Sequence, residues 1–226
     1  MIILTERLKK AAELIGKTEI LADIGCDHGY LPIYLLERND ISFAYACDVR
    51  DGPLEAARKN IIKYGFSDKT ELVKSDGLIN IADKKVNVIS ICGMGGRLIA
   101  KILSDSLEYA KAADRLILQP MTEAYVLREF LMKHGFEIKN EVLARENDRF
   151  YNIISAEVGA EKRKDIFSIH FGGALTESDD LLVLPYLEKN YRIFSANLRA
   201  KEGKEDTGIL KILVENLEKT IKSKKF

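Results

Sequence analysis

The sequence predicts an α/β fold: a doubly wound, mostly parallel sheet with an antiparallel edge, followed by a C-terminal helical hairpin. Three observations predict it. Apolar runs separated by helical stretches recur five times between residues 20 and 118, which calls for crossover connections and parallel pairing. The runs are continuously apolar rather than alternating, as strands covered on both faces must be. Acidic or glycine-bearing loops follow the first four, and open α/β sheets bind ligands beyond the carboxyl ends of their strands.

In chain order, Leu4, Leu8, Ala11, Ala12 and Ile15 recur at helical spacing and predict an opening helix. A first strand, Ile20–Ile24, ends in the loop Gly25-Cys-Asp-His-Gly29. A helix from about Leu31 to Arg38 follows, with Pro32 in its first turn, where a missing N–H does no harm. The second strand, Ile41–Cys47, ends at Asp48, and Pro53 starts a helix through Leu54, Ala57, Ile61 and Tyr64. Glu71–Lys74 is a short third strand leading into Ser75-Asp76-Gly77. Val86–Ile91 is the fourth, with Gly93-Met-Gly-Gly96 opening the next helix. Arg115–Leu118 is the fifth, stopped by Gln119-Pro120 and followed by a helix to His134. Phe136–Arg145 and Phe150–Val158, joined by the polar turn Glu146-Asn-Asp148, predict the antiparallel edge.

Beyond about residue 160 the pattern changes. Leu184, Leu187, Tyr191, Phe194 and Leu198 form a heptad-like seam, Gly203–Gly208 reads as a turn, and Leu210, Leu213, Leu217 and Ile221 form a second stripe. The predicted domains are therefore 1–159 and a coiled-coil-like hairpin, 160–226.

With 46% hydrophobic and 31% charged residues the chain can bury a sizeable core, which excludes a largely disordered protein. The N-terminus lacks a signal-peptide layout and no apolar run reaches the ~20 residues a membrane span needs. A soluble cytoplasmic protein is expected, monomeric or a weak dimer. Formal net charge is zero, so the total does not advertise nucleic acid, yet basic residues cluster at Arg7/Lys9/Lys10, Lys162/Arg163/Lys164 and Lys222/Lys224/Lys225. Cys26, Cys47 and Cys92 are odd in number and lack the paired spacing of a zinc site, so no metal is expected; they read as small, half-buried residues around a crevice.

The strand-end loops carry the chemistry. Gly25 and Gly29 permit a tight turn, but Asp27 replaces the second glycine of a dinucleotide fingerprint, and a carboxylate there repels a pyrophosphate. It suits a ligand with an amino group and a sulfonium; S-adenosylmethionine has both and NAD does not. Asp48 can accept hydrogen bonds from ribose hydroxyls, and Ser75-Asp76-Gly77 can place a carboxylate against the adenine amine. Asp23, Asp48 and Asp76 at three successive strand ends point to a nucleoside cofactor. Cys26, His28, Gly29, Val49, Ser75, Gly77, Cys92, Gly93 and Met94 complete the expected cofactor-binding set.

Leu4-Thr-Glu-Arg-Leu8, Leu21-Ala-Asp-Ile-Gly-Cys-Asp-His-Gly-Tyr-Leu-Pro32, Ser75-Asp-Gly77, Cys92-Gly-Met-Gly-Gly96 and Leu116-Ile-Leu-Gln-Pro120 together resemble the bacterial tRNA adenine-22 N1-methyltransferases, over nearly the whole chain. The resemblance implies a Rossmann-like class I methyltransferase sheet and methyl transfer from S-adenosylmethionine to N1 of an adenine in the D-arm region of tRNA. Two positions depart from the family pattern: Met121 stands where asparagine is usual, and Gly173 where Phe-Gly-Pro is common. Under this reading Asp27, Tyr30 and His28 are catalytic candidates. Asp27 would stabilise the cationic product, Tyr30 would offer a surface to an extruded base, and His28 would orient the loop. Arg7, Lys10, Gly95, Gly96, Gln119, Pro120, Lys162, Arg163 and Lys164 are the candidate tRNA contacts. The competing readings are a methyltransferase for another RNA or a small molecule, and a non-catalytic RNA-binding protein with the same fold.

Overall fold

The computed structural model describes residues 2–201 and 206–225. Its sheet-bearing part comprises α1 (Glu6–Ile15), β1 (Ile20–Ile24), α2 (Tyr30–Glu37), β2 (Phe43–Asp48), α3 (Asp51–Tyr64), β3 (Thr70–Lys74), β4 (Val88–Met94), α4 (Gly96–Asp105), α5 (Leu107–Ala112), β5 (Arg115–Pro120), α6 (Ala124–Lys133), β6 (Phe136–Glu146) and β7 (Arg149–Val158), with a 3-10 turn at Ile79–Ile81. The strands form one seven-stranded sheet in the order β3-β2-β1-β4-β5-β7-β6. β1 to β5 are parallel, and β7 lies antiparallel between β5 and β6. The chain builds outward from β1 in one direction to β3, then returns to place β4 on β1's other side. The order therefore reverses between β1 and β4, which opens a crevice at their carboxyl ends.

Both faces of the sheet are covered. Leu21 joins a core cluster with Ala11 and Ile15 of α1, Ile33 and Leu35 of α2 and Ala57 and Ile61 of α3. The alternate residues Ala22 and Ile24 point to the opposite face and are also buried. α4 and α6 pack against each other, so closely that a Cβ on Gly96 would lie 2.4 Å from the Glu123 carbonyl oxygen. Glycine is required there by space, and the Gly96 N–H donates to the Thr122 carbonyl at 2.8 Å.

β4 runs through Met94, and Gly95 rather than Gly93 precedes the next helix, because Cys92 to Met94 continue to pair with β5 across a bulge. β5 likewise continues through Gln119 and Pro120, which the sequence marked as its stop. The edge is held by a buried polar network. Arg128 of α6 contacts Glu141 of β6 at 2.6 and 3.2 Å, and Asn152 of β7 donates to the same carboxylate at 2.9 Å. Both charged side chains are fully buried, so the pairing satisfies groups that would otherwise be costly to desolvate.

The chain divides into two compact units, Met1–Lys162 and Arg163–Phe226. The second contains more than the expected hairpin. Short helices α7 (Ile166–Phe171) and α8 (Gly173–Glu177) precede the long pair α9 (Val183–Lys201) and α10 (Gly208–Lys224). Asp165 caps α7 by accepting from the Phe167 and Ser168 amides, both at 3.0 Å. Phe171 of α7 meets the Phe194 ring of α9 edge-on at 5.2 Å. Leu213, Leu217 and Ile221 form the buried stripe of α10. Residues 203–205 of the predicted turn lie outside the described residues. Gly173 stands where a Cβ would come within 2.7 Å of the Arg163 side chain.

Candidate active site

A cavity of about 610 Å³ opens at the carboxyl ends of β1 to β4, within the range of small-molecule sites. One wall is acidic. Asp23 is the penultimate residue of β1, Asp48 closes β2, and Asp76 follows β3. Asp23 is 5% exposed and accepts a hydrogen bond from the Ser90 hydroxyl of β4. Burial pushes its carboxyl up to about 6; the Ser90 bond counteracts this, and the nearby Asp48 adds to it. Asp48 accepts from the Arg50 amide at 2.9 Å and is likewise buried.

The first loop is shaped by its backbone. Gly25 takes φ +76°, the left-handed region, and a Cβ there would reach 2.3 Å from the Met94 methyl. The Gly25 and Cys26 amides both donate to the Cys47 carbonyl, at 2.8 and 2.9 Å. They are thus spent on β2 and are not offered to a phosphate, unlike the amides of a dinucleotide loop. Asp27, at φ +49°, turns its exposed carboxylate outward, 3.6 Å from His28 Nε2. The His28 ring stacks on Tyr30 with 5.3 Å between centroids. Asp27, His28 and Tyr30 therefore line the mouth together.

The other wall is apolar and backbone-rich: Cys92, Gly93 and Met94 of β4, with Leu98 and Ile102 of α4. Of the predicted cofactor set, Gly29 alone does not line the cavity; it packs behind it, where a Cβ would meet Ala57 of α3 at 3.3 Å. Cys26 and Cys47 are buried rather than half-buried, and burial raises all three thiols far above the ordinary range, which leaves them as uncharged packing groups.

The candidate tRNA residues are placed differently from one another. Arg7 enters the cavity. Its guanidinium contacts Glu146 at 2.7 Å, its amide donates to the same carboxylate at 3.0 Å, and it lies 5.6 Å from the Tyr151 ring centre. Lys10 pairs with Glu13 on its own helix at 2.8 Å. Gly95, Gly96, Gln119 and Pro120 do not line the cavity, and Gln119 is fully buried. Lys162 and Lys164 are exposed, and Arg163 meets Glu177 at 3.2 Å. Reading the sequence missed Arg50, Leu98 and Ile102, and it missed Glu146 and Tyr151 as the seat of Arg7. Leu98 and Ile102 were accessible as the first two turns of the helix after the glycine loop. The Arg7–Glu146 contact spans 139 residues and left no local signal.

A methyltransferase-domain family model matches residues 4–154. The tRNA (adenine(22)-N(1))-methyltransferase of Bacillus subtilis (strain 168) is 36% identical over 186 residues, 82% of this chain and 75% of that protein. The chain belongs to this methyltransferase family. Solved relatives agree over nearly the whole chain. A candidate tRNA (m1A22) methyltransferase of Streptococcus pneumoniae, in complex with S-adenosyl-L-methionine, superposes with TM-score 0.87 at 32% identity, covering 97% of this chain and 100% of that one. The M. capricolum relative, in complex with the cofactor product S-adenosyl-homocysteine, does so with TM-score 0.78 at 28% identity, covering 99% and 97%. The family's cofactor is thus S-adenosylmethionine. The crevice fits it, because an acidic wall and a glycine turn whose amides are already spent suit a cationic nucleoside better than a pyrophosphate.

Proposed function

We propose that this protein methylates N1 of adenine 22, in the D-arm region of tRNA, from S-adenosylmethionine, and that it does so in the cytoplasm. The observation that carries this reading is the cavity itself, with three strand-end carboxylates on one wall and the glycine-bearing, apolar stretch Cys92–Met94 with Leu98 and Ile102 on the other. S-adenosylmethionine supplies an electrophilic methyl group. Asp48 accepts from the ribose hydroxyls, Asp76 faces the adenine amine, and Asp23 with the Gly25 turn holds the amino-acid end. Cys26, Val49, Ser75, Gly77, Cys92, Gly93 and Met94, which also line the cavity, shape the cradle.

Adenine N1 has an in-plane lone pair and needs no strong base, so the protein's task is alignment and exclusion of water. The His28–Tyr30 stack at the mouth gives an extruded base an aromatic surface. Asp27 beside it favours the positive charge the base acquires. A normal rate for Asp27→Ala removes it from that role. The second unit and the basic residues Lys162, Arg163 and Lys164 contact the tRNA through its backbone.

The test is transfer of tritiated methyl from S-adenosylmethionine into unmodified tRNA, with the modified nucleoside identified by mass spectrometry. N1-methyladenosine at a single D-arm site is expected. Tight cofactor binding without incorporation into tRNA would overturn the assigned acceptor.

A further inference from the structure

The two strand ends at the acceptor side of the cavity are fastened to each other by an unusual side chain. Gln119 is fully buried in β5, opposite the β4 bulge between Cys92 and Met94. Its Oε1 accepts from the Gly93 amide at 3.0 Å, and its Nε2 donates to the Pro120 carbonyl at 3.1 Å and lies 3.6 Å from the Met121 sulfur. Two backbone bonds follow this bridge, both on its C-terminal side. The Met121 amide donates to the Met94 carbonyl and the Gly96 amide to the Thr122 carbonyl, both at 2.8 Å. Gly93 precedes both of them and sits at φ +82°, exposed and part of the cavity wall. A bulge leaves a residue without its ladder partner. Here the missing partner for the Gly93 amide is the Gln119 carboxamide rather than solvent.

We propose that Gln119 is a positioning residue of methyl transfer, its carboxamide fixing the Cys92–Met94 wall against which the acceptor base is laid. This rests on the reading of the cavity as the cofactor and acceptor site. Gln119 reaches neither reactant; it acts through Gly93. Without it the two strand ends keep those backbone bonds but lose the one at the bulge itself, and the glycine regains the wide conformational range that glycine has. Misplacement of the acceptor by about 1 Å can cost ~10²-fold in rate while leaving the fold intact. The carboxylates of the acidic wall on β1 to β3 are untouched, so cofactor affinity is expected to change far less than the rate, even though Gly93 also borders the cofactor's cradle.

The experiment compares Gln119→Met, which fills the space without the carboxamide, with Gln119→Glu, which keeps an oxygen where Oε1 stands. Steady-state kinetics on tRNA, calorimetry with S-adenosyl-homocysteine and thermal melts are measured for each. Gln119→Met is expected to lower kcat at least tenfold while the Kd for S-adenosyl-homocysteine changes less than threefold, and Gln119→Glu to recover at least threefold of that loss. A kcat for Gln119→Met within twofold of wild type overturns the proposal, as does a proportional fall in kcat and cofactor affinity, which marks a merely structural role. Amide exchange in the wild-type protein tests the bridge without any variant. The Gly93 amide is expected to exchange slowly, and exchange as fast as an open loop amide overturns the proposal even if the variants fail to fold. Absence of methylation by the wild-type protein would instead sink the assigned function, a distinguishable result.

Discussion

Asp23 is the acid of the cavity that folding strains most, and Asp23→Asn measures that strain. Its carboxyl is pushed up to about 6 from an ordinary 3.8, chiefly by burial. The folded state thus holds a proton that the unfolded state has released between about pH 4 and 6. Stability falls as pH rises through that window, is unaffected by this group below it, and carries the whole cost above it. A shift from 3.8 to about 6 corresponds to roughly 3 kcal/mol at neutral pH, an upper bound because the site relaxes on ionisation. Asparagine keeps an oxygen for the Ser90 hydroxyl and removes the charge. The ligand-free variant should therefore melt higher than wild type at pH 8, by up to roughly 10 °C at about 2–4 °C per kcal/mol. At pH 4 the difference should vanish. Cofactor affinity should move the other way: the variant binds S-adenosylmethionine more weakly at pH 8, and wild-type affinity declines as pH falls through about 6. Melting curves across pH 4–8 with calorimetry at both ends are sufficient. A difference in melting temperature that is the same at both ends would refute the reasoning, since it would mean that Asp23 ionises as freely folded as unfolded.

Three further outcomes are expected. Arg128→Met strands the Glu141 carboxylate in the core and should cost about 3–5 kcal/mol in denaturant titrations, while Arg128→Met with Glu141→Leu should recover much of it. Glu146→Ala releases Arg7 from the cavity wall; with charged hydrogen bonds worth about 1.5–3 kcal/mol, kcat/KM for tRNA should fall roughly tenfold or more. Its cofactor Kd should stay within about threefold, and a parallel loss of cofactor affinity would count against Arg7 as an acceptor-side residue. Removing residues 163–226 should weaken tRNA binding in a filter assay and spare cofactor binding, because every residue lining the cavity lies in the first unit. Equal loss of both would mean that the second unit is needed for folding.

The parts of this architecture legible in the sequence are those written locally. Ile20–Ile24 announces a strand because nothing in it is polar except Asp23, and Gly25 marks where the chain must turn. The order of Asp23, Asp48 and Asp76 follows from strand ends alone. Two kinds of feature were not legible. Leu107–Ala112 and Ile166–Phe171 are helices of six residues, too short to display a full apolar period. Gln119 and Arg7 owe their positions to partners 26 and 139 residues away. A glutamine before proline reads as a polar stop to a strand, whereas the folded chain buries it to complete a bulge. The cluster Arg7/Lys9/Lys10 reads as one basic face, yet Lys9 and Lys10 pair with Glu6 and Glu13 on their own helix and Arg7 alone turns to the cavity.

The two walls of the crevice divide the work in a way the chemistry requires. Methyl transfer to an uncharged base moves a positive charge across the site without changing the total. No new charge needs an oxyanion hole or a metal, and no proton must leave before the bond forms. Under the proposed reading, Asp23, Asp48 and Asp76 gather on the wall where the charge begins, and Asp27 stands at the mouth, near where it ends. Between those points electrostatics favours neither side strongly, and the rate depends on how well the acceptor is aligned and dried. Rigid, uncharged placement is what the β4 wall provides. The Gly93 amide is spent on Gln119, the Cys92 thiol is held neutral by burial, and Gly93 puts no side chain in the way of a flat ring. A side chain that touches neither reactant can therefore matter to the rate as much as the carboxylates proposed to hold the cofactor.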